Sequence, residues 1–380
     1  MIEDIRAEAK ERFAEMGYPT THDEDWRFTS VAPIARVAQA LLPAAPALLP
    51  AQIPGVRICS LAEALLNEPG LVEPYLARYA SYQTNAFVAL NTANFANGLF
   101  IHIPKGAVIE EPIRLVYKSF ANGLPTVSYP RNLIVAAADS QATIIETYEG
   151  SGGTYLTNSV TEIVAGDHTV IDHYKLQTES PNAFHVATLQ IQLGRDTNFR
   201  SHSLSFGGAL VRNDVNAVLS EGSECTLNGL YLVNGAQHID NHTSIDHAKP
   251  HAASHELYKG ILDGKSSAVF NGKILVRKDA QKTDAKQTNK NLVLSEESVI
   301  NTKPELQIHA DDVRCTHGAT IGQLDAEGMF YLQSRGIGKV EARNLLIVAF
   351  ARDIVDRIKV EPLRDRLEKL LLEKLHGSRN

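Results

Sequence analysis

The chain has 380 residues, 44% hydrophobic and 21% charged, the proportions of an ordinary globular protein. That length accommodates two or three domains, or one elongated solenoid with accessory parts. A formal net charge of −7, with Lys and Arg spread along the chain, argues against a dominant nucleic-acid surface. No apolar run of about 18 residues occurs, so no membrane-spanning helix is expected.

The opening stretch, MIEDIRAEAKERF, is acidic and unlike a secretory or transit peptide. The cysteines Cys59, Cys225 and Cys315 lie far apart and are odd in number, which argues against a disulfide framework. Both features point to the cytoplasm. Ile2 to Met16 has helical preferences and a plausible stop at Gly17. GYPTTHDEDWRFT follows, rich in turn formers and holding the only tryptophan, Trp26. Residues 31–54 read as a loose Ala/Leu/Pro-rich connection, and residues 61–82 return to a helical pattern.

From about Ala86 the character changes. Short β-prone runs follow one another (AFVAL, GLFIHIP, IRLVYKS, RNLIVAAA, ATIIETY, TVIDHYKLQ, HVATLQIQL, LYLVNG, SAVFNGKILV), separated by Gly, Asn, Asp and Ser. Gly194, Gly208, Gly222 and Gly235 are spaced 14, 14 and 13 apart, about one strand plus one turn. Two such units make one coil of a β-helix. Sandwich, propeller and parallel β-helix all fit even strand spacing. The runs are polar and ladder-like rather than cleanly alternating, which favours the β-helix. Helices on both sides of it would cover its open ends.

In the tail, Asp325 is a fair N-cap for AEGMFYLQSR and Gly336 a fair stop. Residues 339–358 carry Leu346, Phe350, Ile354 and Ile358 at fourfold spacing. Pro362 opens a last helix with a stripe of Leu363, Leu367, Leu370, Leu371 and Leu375. Such helices either pack on their own domain or dock a partner, and the pattern alone does not separate the two.

GILDGKSS, residues 260–267, resembles a phosphate loop but has three residues where the motif needs four between its glycines, and a strand where the loop needs a helix. It is expected to be a turn. His238, His242, His247, His251 and His255 crowd one stretch. On strands, 238/242 and 247/251/255 share a face, either as a polar ladder or as a metal site, although no familiar zinc spacing is present. Cys315-Thr316-His317 follows strand-like LQIHADDVR, and i, i+2 residues on a strand point to one side. A thiolate and an imidazole make half a site for iron or an iron–sulfur cluster. The alternatives are a buried cysteine beside a hydrogen-bonded histidine and a nucleophilic pair, the latter without an orienting partner.

Several blocks together resemble the SufB/SufD family of iron–sulfur assembly scaffolds, most of all its SufD branch: YPTTHDEDWRFT; NHTSIDHAKPHAASHELYKGILDGKSSAVFNGKILV; DAQKTDAKQTNKNLVLSEES; and KPELQIHADDVRCTHGATIGQLDAEGMFYLQSRGI. The likeness covers most of the chain, is weakest between about 31 and 85 and most specific over 238–350. The SufD branch is favoured because THGATIGQLD stands where SufB-type chains carry HEA, because the Gln287 to Asn291 stretch has asparagines near the position of the key SufB cysteine, and because the EDWR segment is SufD-like. The resemblance implies a right-handed parallel β-helix core, residues 86–322, between a helical N-terminal domain, 1–85, and a helical ATPase-docking C-terminal domain, 323–380. It implies a non-catalytic scaffold subunit of a SufBCD complex. A transient cluster would form at the junction with a SufB-like partner, with His317 and Cys315 matching the family's C-x-H-G-A-T block. A SufC-like ABC ATPase would use the ATP and dock on the C-terminal helices, and Leu346, Phe350, Ile354, Ile358, Leu363 and Leu367 are the docking candidates. A reduced flavin at the level of the complex and a homodimer of the isolated chain are compatible with this reading. The alternative is a metal-dependent enzyme using His238, His242, His247, His251 and His255 on a β-helix.

Overall fold

A computed structural model describes residues 2–38, 42–43, 50–95, 98–121 and 123–377. Its helices are α1 (Ile2–Met16), α2 (Ala32–Ala38), α3 (Leu61–Asn67), α4 (Pro69–Val72), α5 (Ala86–Asn94), α6 (Ala326–Ser334), α7 (Lys339–Val355) and α8 (Glu361–Gly377). The strands are β1 (Leu42–Pro43), β2 (Arg57–Ser60), β3 (Gly98–Ile103), β4 (Ile113–Ala121), β5 (Thr126–Ser128), β6 (Arg131–Ala136), β7 (Gln141–Gly152), β8 (Tyr155–Ala165), β9 (Val170–Thr178) and β10 (Phe184–Leu193). They continue as β11 (Asn198–Ser205), β12 (Leu210–Leu219), β13 (Glu224–Val233), β14 (His238–His247), β15 (Ala253–Leu262), β16 (Ser267–Val276), β17 (Asp284–Val293), β18 (Val299–Ile308) and β19 (Arg314–Gly322).

From β6 onward alternate strands stack into two parallel sheets. Sheet A runs β18-β16-β14-β12-β10-β8-β6-β3-β2 and sheet B runs β19-β17-β15-β13-β11-β9-β7-β4. The result is a parallel β-solenoid of about 8 turns. Leu156, Phe184, Leu210 and His238 stand in register on successive coils, 28, 26 and 28 residues apart. That is twice the glycine spacing. Gly208, Gly222 and Gly235 turn the chain at positive φ (85°, 65° and 62°), where a Cβ would clash with the backbone. Gly194 is there for closeness instead, since a Cβ on it would stand 2.7 Å from the Asp167 backbone nitrogen of the preceding coil.

The solenoid's lumen is filled by inward residues from both sheets, among them Ile144, Ile171, Phe199, Leu227, Tyr231, Tyr258 and Phe270. Large rings sit opposite glycines: a Cβ on Gly229 would lie 2.1 Å from Tyr258, and one on Gly260 2.3 Å from Tyr231. Gly229→Ala is therefore expected to destabilise by about 1–3 kcal/mol through overpacking, measured as a lower urea midpoint at unchanged m-value.

The helical parts cover faces rather than both ends, which corrects the expectation of end caps. Trp26, Val31, Ile34 and Phe87 pack on Leu156, Phe184, Val186 and Leu210 on the outer side of sheet A. Helices α7 and α8 pack on Tyr174, Leu204, Leu230 and Ile261 on the outer side of sheet B. An apolar sheet face loses more water-exposed area than a solenoid end, so burial there gains more. AFVAL, expected as a strand, forms α5, because the Asn85 Oδ1 accepts from the Phe87 and Val88 N–H groups and caps a helix there. Asp325 caps α6 as expected, and Gly336 ends that turn at φ 86°. Part of the 31–54 connection, residues 39–41 and 44–49, lies outside the described residues, and α2 precedes that gap. Among the described residues no helix is long and apolar enough to cross a membrane.

Candidate functional site at the last coil

Strand β19 is the last of sheet B and β18 the last of sheet A, and neither has a further partner strand among the described residues. Cys315 pairs in register with Ala285 and His317 with Gln287. Ala285 and Gln287 are buried in the lumen, so Cys315 and His317 occupy the same inward-facing columns on the final rung. Two residues apart on a strand, their side chains emerge roughly 6.6 Å from each other, close enough for both to reach one multinuclear group.

The two differ in environment. Cys315 is half-buried against the lumen core, and burial, with the Asp284 carboxylate nearby, pushes its thiol up. A cation or a partner's charge must offset that before the thiolate can serve as a ligand. His317 is exposed, and among the described residues no hydrogen bond or ion pair holds its ring. No group of three or more His, Cys, Asp or Glu side chains able to hold a metal ion is present among the described residues. The last rung thus carries two candidate donor side chains in neighbouring inward-facing positions of one strand, one half-buried and one exposed.

The crowded histidines are dispersed. His238 and His242 lie on the outer side of sheet A. There His238 bonds the Ser267 hydroxyl (2.7 Å) and Thr29 (2.9 Å), and His242 Nε2 sits 3.1 Å from Asp240. His247 turns into the lumen against Ser254 (2.8 Å), where burial pushes it down to about 4 despite Asp246. His251 occupies a turn at φ 60°, and His255 is exposed on sheet B. Strand alternation and the coil turn separate them; residues that share a parity in the sequence do not share a surface once a turn intervenes. GILDGKSS runs from the end of β15 through a turn at residues 263–266 into β16, with Gly264 at φ 67°.

Of the docking candidates, Ile354, Ile358, Leu363 and Leu367 are buried against the outer side of sheet B, while Leu346 and Phe350 are half-buried. These helices are pinned by polar contacts as well. Lys259 Nζ reaches the Phe350 carbonyl (2.8 Å) and Asp353 (3.0 Å), and Lys359 reaches Asp172 (2.8 Å). Phe330 (75% exposed), Tyr331, Val340 and Leu345 remain open on the other side of α6 and α7.

Buried charge was the main omission of the sequence reading. In the lumen, burial lowers Lys175 to about 8 against the pull of Glu146, Glu179 and Asp214, and raises Glu256 to about 7 against Thr243 and Gln287. On the outer side of sheet A, Arg212 bridges Asp214 (2.8 Å) and Asp240 (2.6 Å). The available signal was R-N-D at 212–214, opposite charges two apart on a strand and hence on one face.

A family model described as "SUF system FeS cluster assembly, SufBD core domain" matches residues 118–350, and one for the SufBD protein N-terminal region matches residues 45–115. The chain is 39% identical over 308 residues (77% of it, 68% of the relative) to an iron–sulfur cluster assembly SufBD family protein of Synechocystis. It is 31% identical over 299 residues (78% and 71%) to the iron–sulfur cluster assembly protein SufD of Escherichia coli. Over 326 residues (84% and 74%) it is 26% identical to that of Bacillus subtilis. With the core model covering most of the solenoid and its last coil, the chain belongs to the SufBD family of iron–sulfur cluster assembly proteins.

Proposed function

We propose that the chain is a SufD-type scaffold subunit that contributes His317 first, and Cys315 second, to a cluster assembled at its junction with a SufB-like chain. The observation that carries this is a thiol and an imidazole two residues apart on the last rung of a solenoid whose terminal strands have no further partner strand among the described residues. Strand edges are templates for another chain, and the apolar residues Val299 (53% exposed), Ile308 (41%) and Ile321 (54%) beside them favour a protein neighbour. A partner seated there supplies the missing ligands and excludes water. The cluster is the product handed on, and the two residues hold it in transit.

In this reading the chain divides into a helical region that runs through α5, the solenoid from β3 to β19, and a helical tail, 323–380. A SufC-like ATPase docks on the tail. With Ile354, Ile358, Leu363 and Leu367 committed to sheet B and Phe350 packed against the same cluster, its contact uses the outward side of α6 and α7, including the open Phe330 and Tyr331. ATP turnover in that partner would strain the Lys259 and Lys359 contacts and so reshape the junction through sheet B. Any reduced flavin would belong to the assembled complex. The five dispersed histidines give a metal-dependent enzyme no site to support it.

Anaerobic reconstitution of the three-chain complex with iron and sulfide tests this. His317→Ala should lower the cluster absorbance at least about tenfold, the loss typical when a metal's holding groups are removed, and Cys315→Ser should lower it less. Undiminished cluster in His317→Ala would sink the assignment, and if disrupting α7 alone mattered, the chain would be an architectural subunit only.

A further inference from the structure

Inward-facing residues form columns along sheet B. Leu227, Glu256, Gln287 and His317 stand in one such column on consecutive coils. Glu256 and Gln287 are 3% and 1% exposed. The Gln287 Nε2 donates to Glu256 Oε2 at 2.8 Å, back toward β15. The amide is wedged in place, since a Cβ on Gly272, across the lumen on sheet A, would fall 2.1 Å from that same nitrogen. One of its two N–H groups is given to the Glu256 carboxyl, and turning the amide over would break that hydrogen bond in a buried setting.

This leaves the Gln287 Oε1 as a buried acceptor with no partner. The next side chain in its column, one strand spacing of about 4.8 Å away, is His317. The ring is likewise without a partner among the described residues. An orphaned buried carbonyl and an unheld imidazole on adjacent rungs are complementary, since a neutral imidazole carries one N–H to donate and keeps one lone pair.

We propose that Gln287, fixed by Glu256, is the positioning residue of His317: its carbonyl oxygen accepts one ring N–H. That fixes the tautomer and turns the other ring nitrogen out of the solenoid's end. Histidines that ligate metals are held in this way, by an acceptor on the nitrogen that does not face the metal. Glu256 acts one step further back by holding the amide in the accepting orientation. The purpose of the device rests on His317 being a ligand, but the hydrogen bond itself does not.

The test is therefore made on the metal-free chain labelled with ¹⁵N-histidine. Among its 14 histidines, His317 is assigned by the signals lost in His317→Gln. The expected result is an imidazole N–H proton on His317 that exchanges slowly with water, and one dominant neutral tautomer. In Gln287→Met, similar in length but unable to accept, that proton should become unobservable, while Gln287→Glu, which restores an acceptor, should return it. A wild-type His317 with no protected ring proton overturns the proposal by itself, even if Gln287→Met does not fold, and so does a ring spectrum identical in wild type and Gln287→Met. A protected proton together with undiminished cluster in His317→Ala would leave the geometry standing and remove only the ligand role.

Discussion

Replacing Glu162 with leucine is expected to destabilise the protein by about 3–5 kcal/mol, the range for breaking a buried ion pair from one side. Glu162 is completely buried. One carboxylate oxygen accepts from Arg131 and from the Ala77 N–H (3.0 Å), and the other accepts from the Tyr79 and Ala80 N–H groups (3.0 Å each). A strand residue of the solenoid thus supplies the acceptors for a loop that has no ladder of its own. Leucine would orphan those N–H groups and leave the Arg131 guanidinium without its counter-charge in the interior, with only the neutral Thr92 and Asn91 still accepting from it. The measurement is a urea titration followed by far-UV circular dichroism, with hydrogen exchange at residues 77–80 as the local readout. A midpoint within error of wild type would refute this account of how the helical region is fastened.

Arg212→Met should cost a similar amount, about 3–5 kcal/mol, and should be visible in acid. The guanidinium lies 4.3 Å from the Trp26 ring centroid, donates to the Asp25 carbonyl (2.8 Å) and bridges two buried carboxylates. Burial alone would raise the Asp240 carboxyl, but the Arg212 guanidinium, with His242 and Thr29, outweighs it and holds Asp240 well below the usual range. A depressed carboxyl contributes stability that is fully present above its unfolded pKa of about 3.9 and is lost as pH falls through the folded value. Trp26, the only tryptophan, reports the event directly. Its emission should hold steady from neutral pH down to about pH 5 and shift only in stronger acid. In Arg212→Met the two carboxylates face burial without a cation, so the shift should move to higher pH. An unchanged acid midpoint would show that the cluster does not fasten the 18–29 segment.

Periodicity and turn chemistry carried much of the fold into the sequence. A 14-residue glycine spacing is half a coil, and glycine at positive φ is a local requirement that no partner residue can hide. Asp325 and Gly336 bound α6 for the same local reason. AFVAL failed because apolar β-prone composition cannot register one asparagine accepting two backbone N–H groups in front of it. His238 and His242, on one strand, share a face, while the 247/251/255 set separated because parity on a strand says nothing across a turn.

The candidate site divides along the same line. That Cys315 and His317 share one side of a strand follows from a two-residue spacing and needs no neighbour. That the strand is the last rung, that Gln287 and Glu256 stand beneath the imidazole, and that the stripe of α7 and α8 is spent on the chain's own sheet B follow only from how the coils stack. Stacking joins residues about thirty positions apart through register, and register is a property of the whole ladder. The sequence by itself determined the repeating unit, the caps and the placing of Cys315 and His317 on one side of a strand. The tertiary structure decided which face each residue shows and which buried charges meet, because those depend on neighbours supplied by other coils.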